Sequence, residues 1–128
     1  MAVWLLVLLF DLLLPLIMIG FGKSFMKEPP GEINSAYGYR TTRSTKNWDT
    51  WTFAHQYCGT IWYQSGRILL RITILVLFFM IGQDSDLVGT VGGVIFVIQA
   101  IPAIGVIIPT EIALSKSFDK DGNRRHKT

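Results

Sequence analysis

Residues 87–109 read LVGTVGGVIFVIQAIPAIGVIIP, a run of 23 positions without one charged side chain. A hydrocarbon core about 30 Å thick is crossed by about 20 consecutive apolar residues. In lipid every backbone N–H and C=O must find its partner inside the chain, so a segment of this kind is a helix. Immediately upstream lies a short acidic loop, Gln83-Asp84-Ser85-Asp86, and before it a second apolar stretch from about 61 to 82 that carries Arg67 and Arg71 in its first half. A polar loop, 21–60, separates that stretch from a third, AVWLLVLLFDLLLPLIMIG at 2–20, interrupted only by Asp11 and Pro15. Downstream is a basic tail, 110–128. The reading is an all-α integral membrane protein, one membrane domain over residues 1–128 with three transmembrane helices.

The totals agree. Charged residues make up 16% of the chain, below the roughly 25% of soluble domains, and the mean hydropathy is +0.40. The net charge of +3 does not imply nucleic acid. Its basic residues sit between apolar stretches, as in membrane proteins, and no basic-aromatic binding module is present. The lone Cys58 excludes an internal disulfide and a multi-cysteine metal site. The first span lacks a basic n-region and a good small-x-small cleavage site, so it is expected to be a retained helix rather than a signal peptide.

Basic residues set direction. Lys23, Lys27, Arg40, Arg43 and Lys46 occupy the first loop, and Lys116, Lys120, Arg124, Arg125 and Lys127 the tail. An outside N-terminus, a cytoplasmic first loop, an outside acidic loop and a cytoplasmic tail satisfy every segment. The expected location is a bacterial cell membrane, multi-pass.

Charges within the spans require a partner or a wet cavity. Asp11 lies mid-way along the first span, Arg71 mid-way along the second and Arg67 one turn nearer the first loop. Similar depth predicts an Asp11–Arg71 pair, with Arg67 as the alternative partner; the competing reading is that Arg67 snorkels and Asp11 is protonated. Gly89 and Gly93, four apart, offer a small-residue face for close helix contact. Pro15 and Pro102 are expected to bend their helices.

The first loop opens with Lys27-Glu28-Pro29-Pro30-Gly31-Glu32, which cannot be helical across its prolines. A new helix is expected near Asn47, with Asp49 in its first turn. From there Trp48, Trp51, His55, Cys58 and Trp62 recur at threes and fours, marking one face. A tryptophan-rich face of this kind suits an amphipathic, interfacial helix before the second span. Arg40, beside Tyr39, Thr41 and Ser44, either binds a phosphate headgroup or an acidic partner, or pins the loop to the bundle; Glu111 is its natural internal counter-ion. His55 lacks a second ligand one turn on, and His126 sits in the basic tail, so no metal is expected. Asp119-Lys120-Asp121-Gly122-Asn123 lacks the closing glutamate of an EF-hand and reads as a turn. With no phosphate loop, nucleophile elbow or paired-histidine motif, the chain is not expected to be an enzyme and needs no cofactor.

The pattern Asn34-x3-Gly38-Tyr39-Arg40-Thr41-x2-Ser44-x6-Trp51-x3-His55-x3-Gly59 resembles the signature loop of the SdpI family of bacterial membrane immunity proteins. Pro109-Thr110-Glu111-x2-Leu114, followed by Phe118-Asp119-x2-Gly122-Asn123-Arg124, is similar to the same family's tail. The two motifs and the spans between them cover roughly residues 33 to 125. Longer members carry extra N-terminal spans, so the chain resembles a short, single-module form. The resemblance implies protection of a producing cell against a secreted peptide toxin, and in some members recruitment of a cytoplasmic regulatory protein. Asn34, Tyr39, Arg40, Thr41, Ser44, Trp51, His55 and Glu111 are the residues through which that role is expected to run. Membrane lipids are the other expected partners. The competing reading is a small oligomeric transporter or lipid-handling protein that uses Asp11, Arg67 and Arg71.

Overall fold

The computed structural model describes residues 1–34 and 38–125. Residues 35–37 of the loop motif, and His126 and Lys127 of the basic tail, lie outside the described residues. Four helices follow in order: α1 (Ala2–Lys27), α2 (Trp48–Phe79), α3 (Ser85–Gly105) and α4 (Ile107–Ser117). Among the described residues they leave no strand, only an isolated bridge between Phe118 and Arg124. Three helical stretches are long and apolar enough to cross a bilayer: α1, α2, and α3 with α4.

α2, with 32 residues, is about 48 Å long at 1.5 Å per residue, longer than a hydrocarbon core is thick. The tryptophan-rich segment expected ahead of the second span forms its first turns, continuous with the span. Its start is capped as the sequence predicts: the Asn47 side chain accepts from Thr50 N at 2.9 Å, and Thr50 Oγ1 accepts from Asn47 N at 3.1 Å. Trp51, His55 and Cys58 of the expected face are buried, whereas Trp48 is exposed.

α1 and α2 form the main interface, and three glycines set its closeness. A Cβ at Gly22 would meet Tyr63 N at 2.6 Å, one at Gly59 would meet Gly22 O at 2.7 Å, and one at Gly66 would meet Pro15 O at 2.9 Å. α3 packs on α1 through Gly92, where a Cβ would strike Val7 Cγ1. The expected Gly89/Gly93 face is not that contact: neither glycine has a neighbour within 4 Å of a built Cβ. At the far end, the Trp4 indole donates to Leu77 O at 2.7 Å and ties α1 to the end of α2.

The third apolar segment breaks at Gly105–Val106. Pro109 in the first turn of α4 has no N–H to offer Gly105 O, and Gly105 is a poor helix former, so the helix divides there. Leu6, Leu9, Leu13, Ile101 and Ile104 point outward, each more than half exposed; in a bilayer the acyl chains take that surface. The close-packed core lies instead at one end of the bundle, where Tyr39, Ala54, Cys58, Val106, Leu114 and Phe118 are buried together.

Candidate functional site

The polar residues of interest gather at two levels: a cap at the loop–tail end and a cluster deep among the helices.

The cap is built around His55. Its ring is fully buried, 4.2 Å from the Trp51 ring and edge-on to Phe25 at 4.8 Å. The Tyr39 backbone N–H donates to His55 Nε2 at 2.8 Å, and Nδ1 lies 2.7 Å from Trp51 O. A ring nitrogen that accepts carries no proton, so Nε2 is bare and Nδ1–H is the donor to Trp51. Both nitrogens are thereby committed within the fold. Gly38 makes the approach feasible: its φ is +105°, and a Cβ there would sit 2.6 Å from His55 Nε2. The Trp51 indole donates to Pro30 O at 3.0 Å, fastening the proline-rich start of the loop to the same pillar.

Thr41 and Ser44 close the next turn reciprocally. Ser44 Oγ accepts from Thr41 N at 2.8 Å and Thr41 Oγ1 accepts from Ser44 N at 3.1 Å. Ser44 Oγ also lies 3.0 Å from Tyr39 O, to which it donates. The tail joins through Asn47, whose Nδ2 donates to Gly122 O at 2.7 Å. Gly122 has φ +87°, and a Cβ there would press on Asn47 Nδ2 at 2.6 Å. Asp119 Oδ1 accepts from Asp121 N at 3.0 Å and Asn123 N at 2.9 Å. These bonds, that from Asn123 N foremost, hold its carboxyl below its ordinary value. Phe118 meets Phe53 edge-on at 5.4 Å, while Arg124 lies over the Phe118 ring and 4.0 Å from Asp49. That exposed contact is the single ion pair among the described residues.

Tyr39 and Glu111 meet beneath the cap. Burial first, and then the neighbouring Glu111 charge, push the Tyr39 phenol well up from its ordinary value. It stays a neutral donor, 3.4 Å from Ile107 O beside the helix break. Glu111 Oε2 is buried without a hydrogen-bond partner, and Arg40 forms no ion pair with Glu111. Arg40 is exposed, and Asn34 donates to Glu32 O at 2.9 Å. Beside the cap a hollow of about 420 Å³ opens among the helices, walled by α1, α2 and the α3–α4 break, with Tyr39, Arg40 and Thr41 on its lining.

The deep cluster differs from the expected charge pair. Asp11 is buried, but no ion pair joins it to Arg71 or Arg67. Depth matched, and direction around the helix did not. α2 turns Gly66, Thr73 and Leu77 inward, whereas Arg71, two residues from Thr73 and so about 200° around the helix, is exposed, as is Arg67. Arg67 lies over the Tyr63 ring at 5.4 Å. Asp11 faces α3 instead, where a Cβ on Gly92 would be 3.3 Å from its Oδ2. Gln99 Nε2 donates to Asp11 O at 2.8 Å and to Thr73 Oγ1 at 3.0 Å. The Asp11 carbonyl is available because Pro15, four residues on, has no N–H to occupy it. Asp11 Oδ2 and Gln99 Oε1 are both buried without a hydrogen-bond partner. Gln99 and Thr73 escaped the sequence reading. The signal for Gln99 was visible, since it is the only amide side chain in the charge-free stretch.

The loop side of the cap, though not its tail, lies within the profile of a known family. The profile of the SdpI/YfhL protein family matches residues 32–110, more than half of the chain. The chain belongs to the SdpI/YfhL family. With three helices able to span a bilayer, it is a multi-pass membrane protein of that family. A similar relative, the uncharacterized protein YfhL of Bacillus subtilis (strain 168), is 38% identical over 48 residues. That stretch is 38% of this chain and 44% of YfhL, so less than half of the relative's length is matched. No solved structure matches the chain. The family match takes in Tyr39, Arg40, Ser44, Trp51 and His55 of the cap, together with Gln99 and Thr73 of the deep cluster, and stops one residue short of Glu111.

Proposed function

We propose that this SdpI/YfhL-family protein protects a bacterial cell against a secreted, membrane-active peptide toxin. The N-terminus is placed outside and the cap toward the cytoplasm, where loop and tail would meet a regulatory protein. The observation that carries the reading is the coincidence of the family match with the loop that folds around His55. A binding role suits a cap whose inner polar groups are spent on one another. Arg40, exposed on the loop, is the group through which the cap would meet another molecule. Any signal would require the ligand to favour one arrangement of cap and bundle over another.

The test is survival of a toxin-sensitive bacterium expressing the chain against a panel of membrane-active peptide toxins, with Arg40→Ala at equal membrane abundance. Protection by the native chain supports immunity, and its loss in the variant places Arg40 in the working surface. No protection from any toxin counts against the reading.

The second reading is a transporter or lipid-handling protein, favoured by the unpartnered Asp11 Oδ2 and Gln99 Oε1 deep in the bundle. Solute or proton flux into liposomes that Asp11→Asn abolishes would support it; flux unchanged by Asp11→Asn would remove that support.

A further inference from the structure

The hollow beside the cap has the shape of an amphiphile site set across a membrane boundary. On α1 the apolar run ends at Phe21-Gly22, and Lys23 is the first basic residue, which puts this level of the bundle where acyl chains give way to headgroups. The hollow of about 420 Å³ runs across that level. Ile17 and Ile107, 39% and 45% exposed, line it together with Phe21 and Trp62. Arg40 and Thr41 lie on the lining at the polar end. The wall is dry on the protein's own account, because the Trp62 indole N–H is already given to Ala103 O at 3.1 Å.

We infer that this hollow is a specific site for an anionic phospholipid, one acyl chain lying along Ile17, Phe21, Trp62 and Ile107 and the phosphate held at Arg40. Three observations select this occupant. Ile17 and Ile107 on its lining are both partly exposed on apolar helices, so a chain can enter between them without leaving the bilayer. The polar end holds a guanidinium, whose five donors can serve a phosphate besides any other contact that Arg40 makes. The loop level is basic on balance, with Lys23, Lys27, Arg40, Arg43 and Lys46 against Glu28, Glu32 and Asp49, and Glu111, its Oε2 buried, neighbours the Tyr39 phenol. A zwitterionic headgroup would gain less there, because its own cation meets the same field. The inference stands independently of toxin immunity.

Native mass spectrometry of the full chain in mild detergent tests it, with equimolar phosphatidylglycerol and phosphatidylcholine of the same acyl chains. The expected result is retention of phosphatidylglycerol over phosphatidylcholine by about fivefold, the factor for one basic side chain at a lipid surface. Arg40→Gln should bring the two to parity, and Arg40→Lys should restore most of the preference. Ile107→Trp, which fills the apolar end, should lower retention of both lipids. The double variant Arg67→Gln/Arg71→Gln should leave the preference unchanged. Melting temperatures within a few degrees of the native chain identify variants that still fold. Equal retention by the native chain, a preference that survives Arg40→Gln, or one lost with Arg67 and Arg71 would each overturn the site. So would full retention by Ile107→Trp. Displacement of phosphatidylglycerol by equimolar oleate would make the occupant a free fatty acid and overturn the phospholipid assignment.

Discussion

The cap and the deep cluster are built from similar side chains and finished differently. In the cap, Ser44, Thr41, Asn47 and Thr50 each give and receive within a few residues or across to the tail, and His55 does so between Trp51 and the more distant Tyr39. In the deep cluster, Gln99 spends its two donors on Asp11 O and Thr73, while Asp11 Oδ2 and Gln99 Oε1 both want a donor that the described residues do not supply. A satisfied network makes one arrangement strongly preferred, whereas two buried acceptors facing an apolar surround cost stability. Glu111 Oε2 beneath it excepted, the cap therefore specifies the fold at its end of the bundle, and the deep cluster holds two further acceptors that the protein has not used on itself.

The largest effect that would break this contrast is at the pillar. Replacing His55 by Leu strands the Tyr39 N–H inside a packed core, and should cost about 3 kcal/mol from the lost bond, the unpaired donor and the misfit against Trp51 and Phe25. Reversible unfolding in mixed detergent–denaturant would show it, and a loss under about 1 kcal/mol would mean the cap is not the specifying element. Next in size is the tie to the tail. Asn47→Ala removes both the helix cap and the bond to Gly122 O, for an expected loss of about 1–2 kcal/mol. Limited proteolysis should then cut between 118 and 125 first; cleavage there unchanged from the native chain would show that the tail is held without Asn47.

How much of this could be read beforehand differs between the two regions for a physical reason. Span lengths, the cap at Asn47 and the inward side of Trp51, His55 and Cys58 follow from apolar runs and helical period, which are local. That His55 would accept from Tyr39 N, sixteen residues away, depends on Gly38 taking a positive φ and letting two segments touch. Level along the bundle was legible too, since Gln99 joins Asp11 to Thr73, two residues from Arg71. The rotation of α2 was not, because it is set by Gly22, Gly59 and Gly66 closing against α1, a contact that no single segment announces. The Asp11-x3-Pro15 spacing did carry the freed carbonyl that Gln99 found, but only a neighbouring helix at the right height turns that into a bond.

That lesson sharpens into a smaller prediction in which the two regions part. Asn at position 11 keeps the size of Asp and brings an amide donor toward the unpartnered acceptors. Asp11→Asn should therefore leave stability unchanged or raise it by about 0.6 kcal/mol, typical of a side-chain bond between membrane helices. Arg71→Gln should do little, and the double variant should equal the sum of the singles within about 0.5 kcal/mol, since the two residues share no contact. Measured coupling above about 1 kcal/mol would show that Asp11 and Arg71 are a pair after all. This cycle reads the rotation of α2 directly, where a loss in a single variant would not.

The smallest expected effect is in the tail, and it is one of pH. Hydrogen bonds from Asn123 N and Asp121 N hold the Asp119 carboxyl below its ordinary value of 3.8 in the folded chain. A carboxyl depressed by folding contributes its stability fully above the unfolded value and loses it as pH falls through the folded one. The turn from Asp119 to Asn123 should therefore hold from neutral pH down to about 4 and loosen below it. The His55 pillar relies on no carboxylate, but its Nε2 must stay unprotonated to accept from Tyr39 N, so it should open separately, once acid protonates the ring. Protease susceptibility between 118 and 125 at steps from pH 6 to pH 3, using an acid-active protease, follows the turn while near-ultraviolet circular dichroism of Trp51 follows the pillar. Asp119→Asn keeps an oxygen acceptor without a titrating group, so its cleavage should be nearly flat over that range. If the native tail were as flat as the variant's, the Asp119 bonds would not be what closes the turn, and the Asn47–Gly122 contact would have to hold the tail by itself.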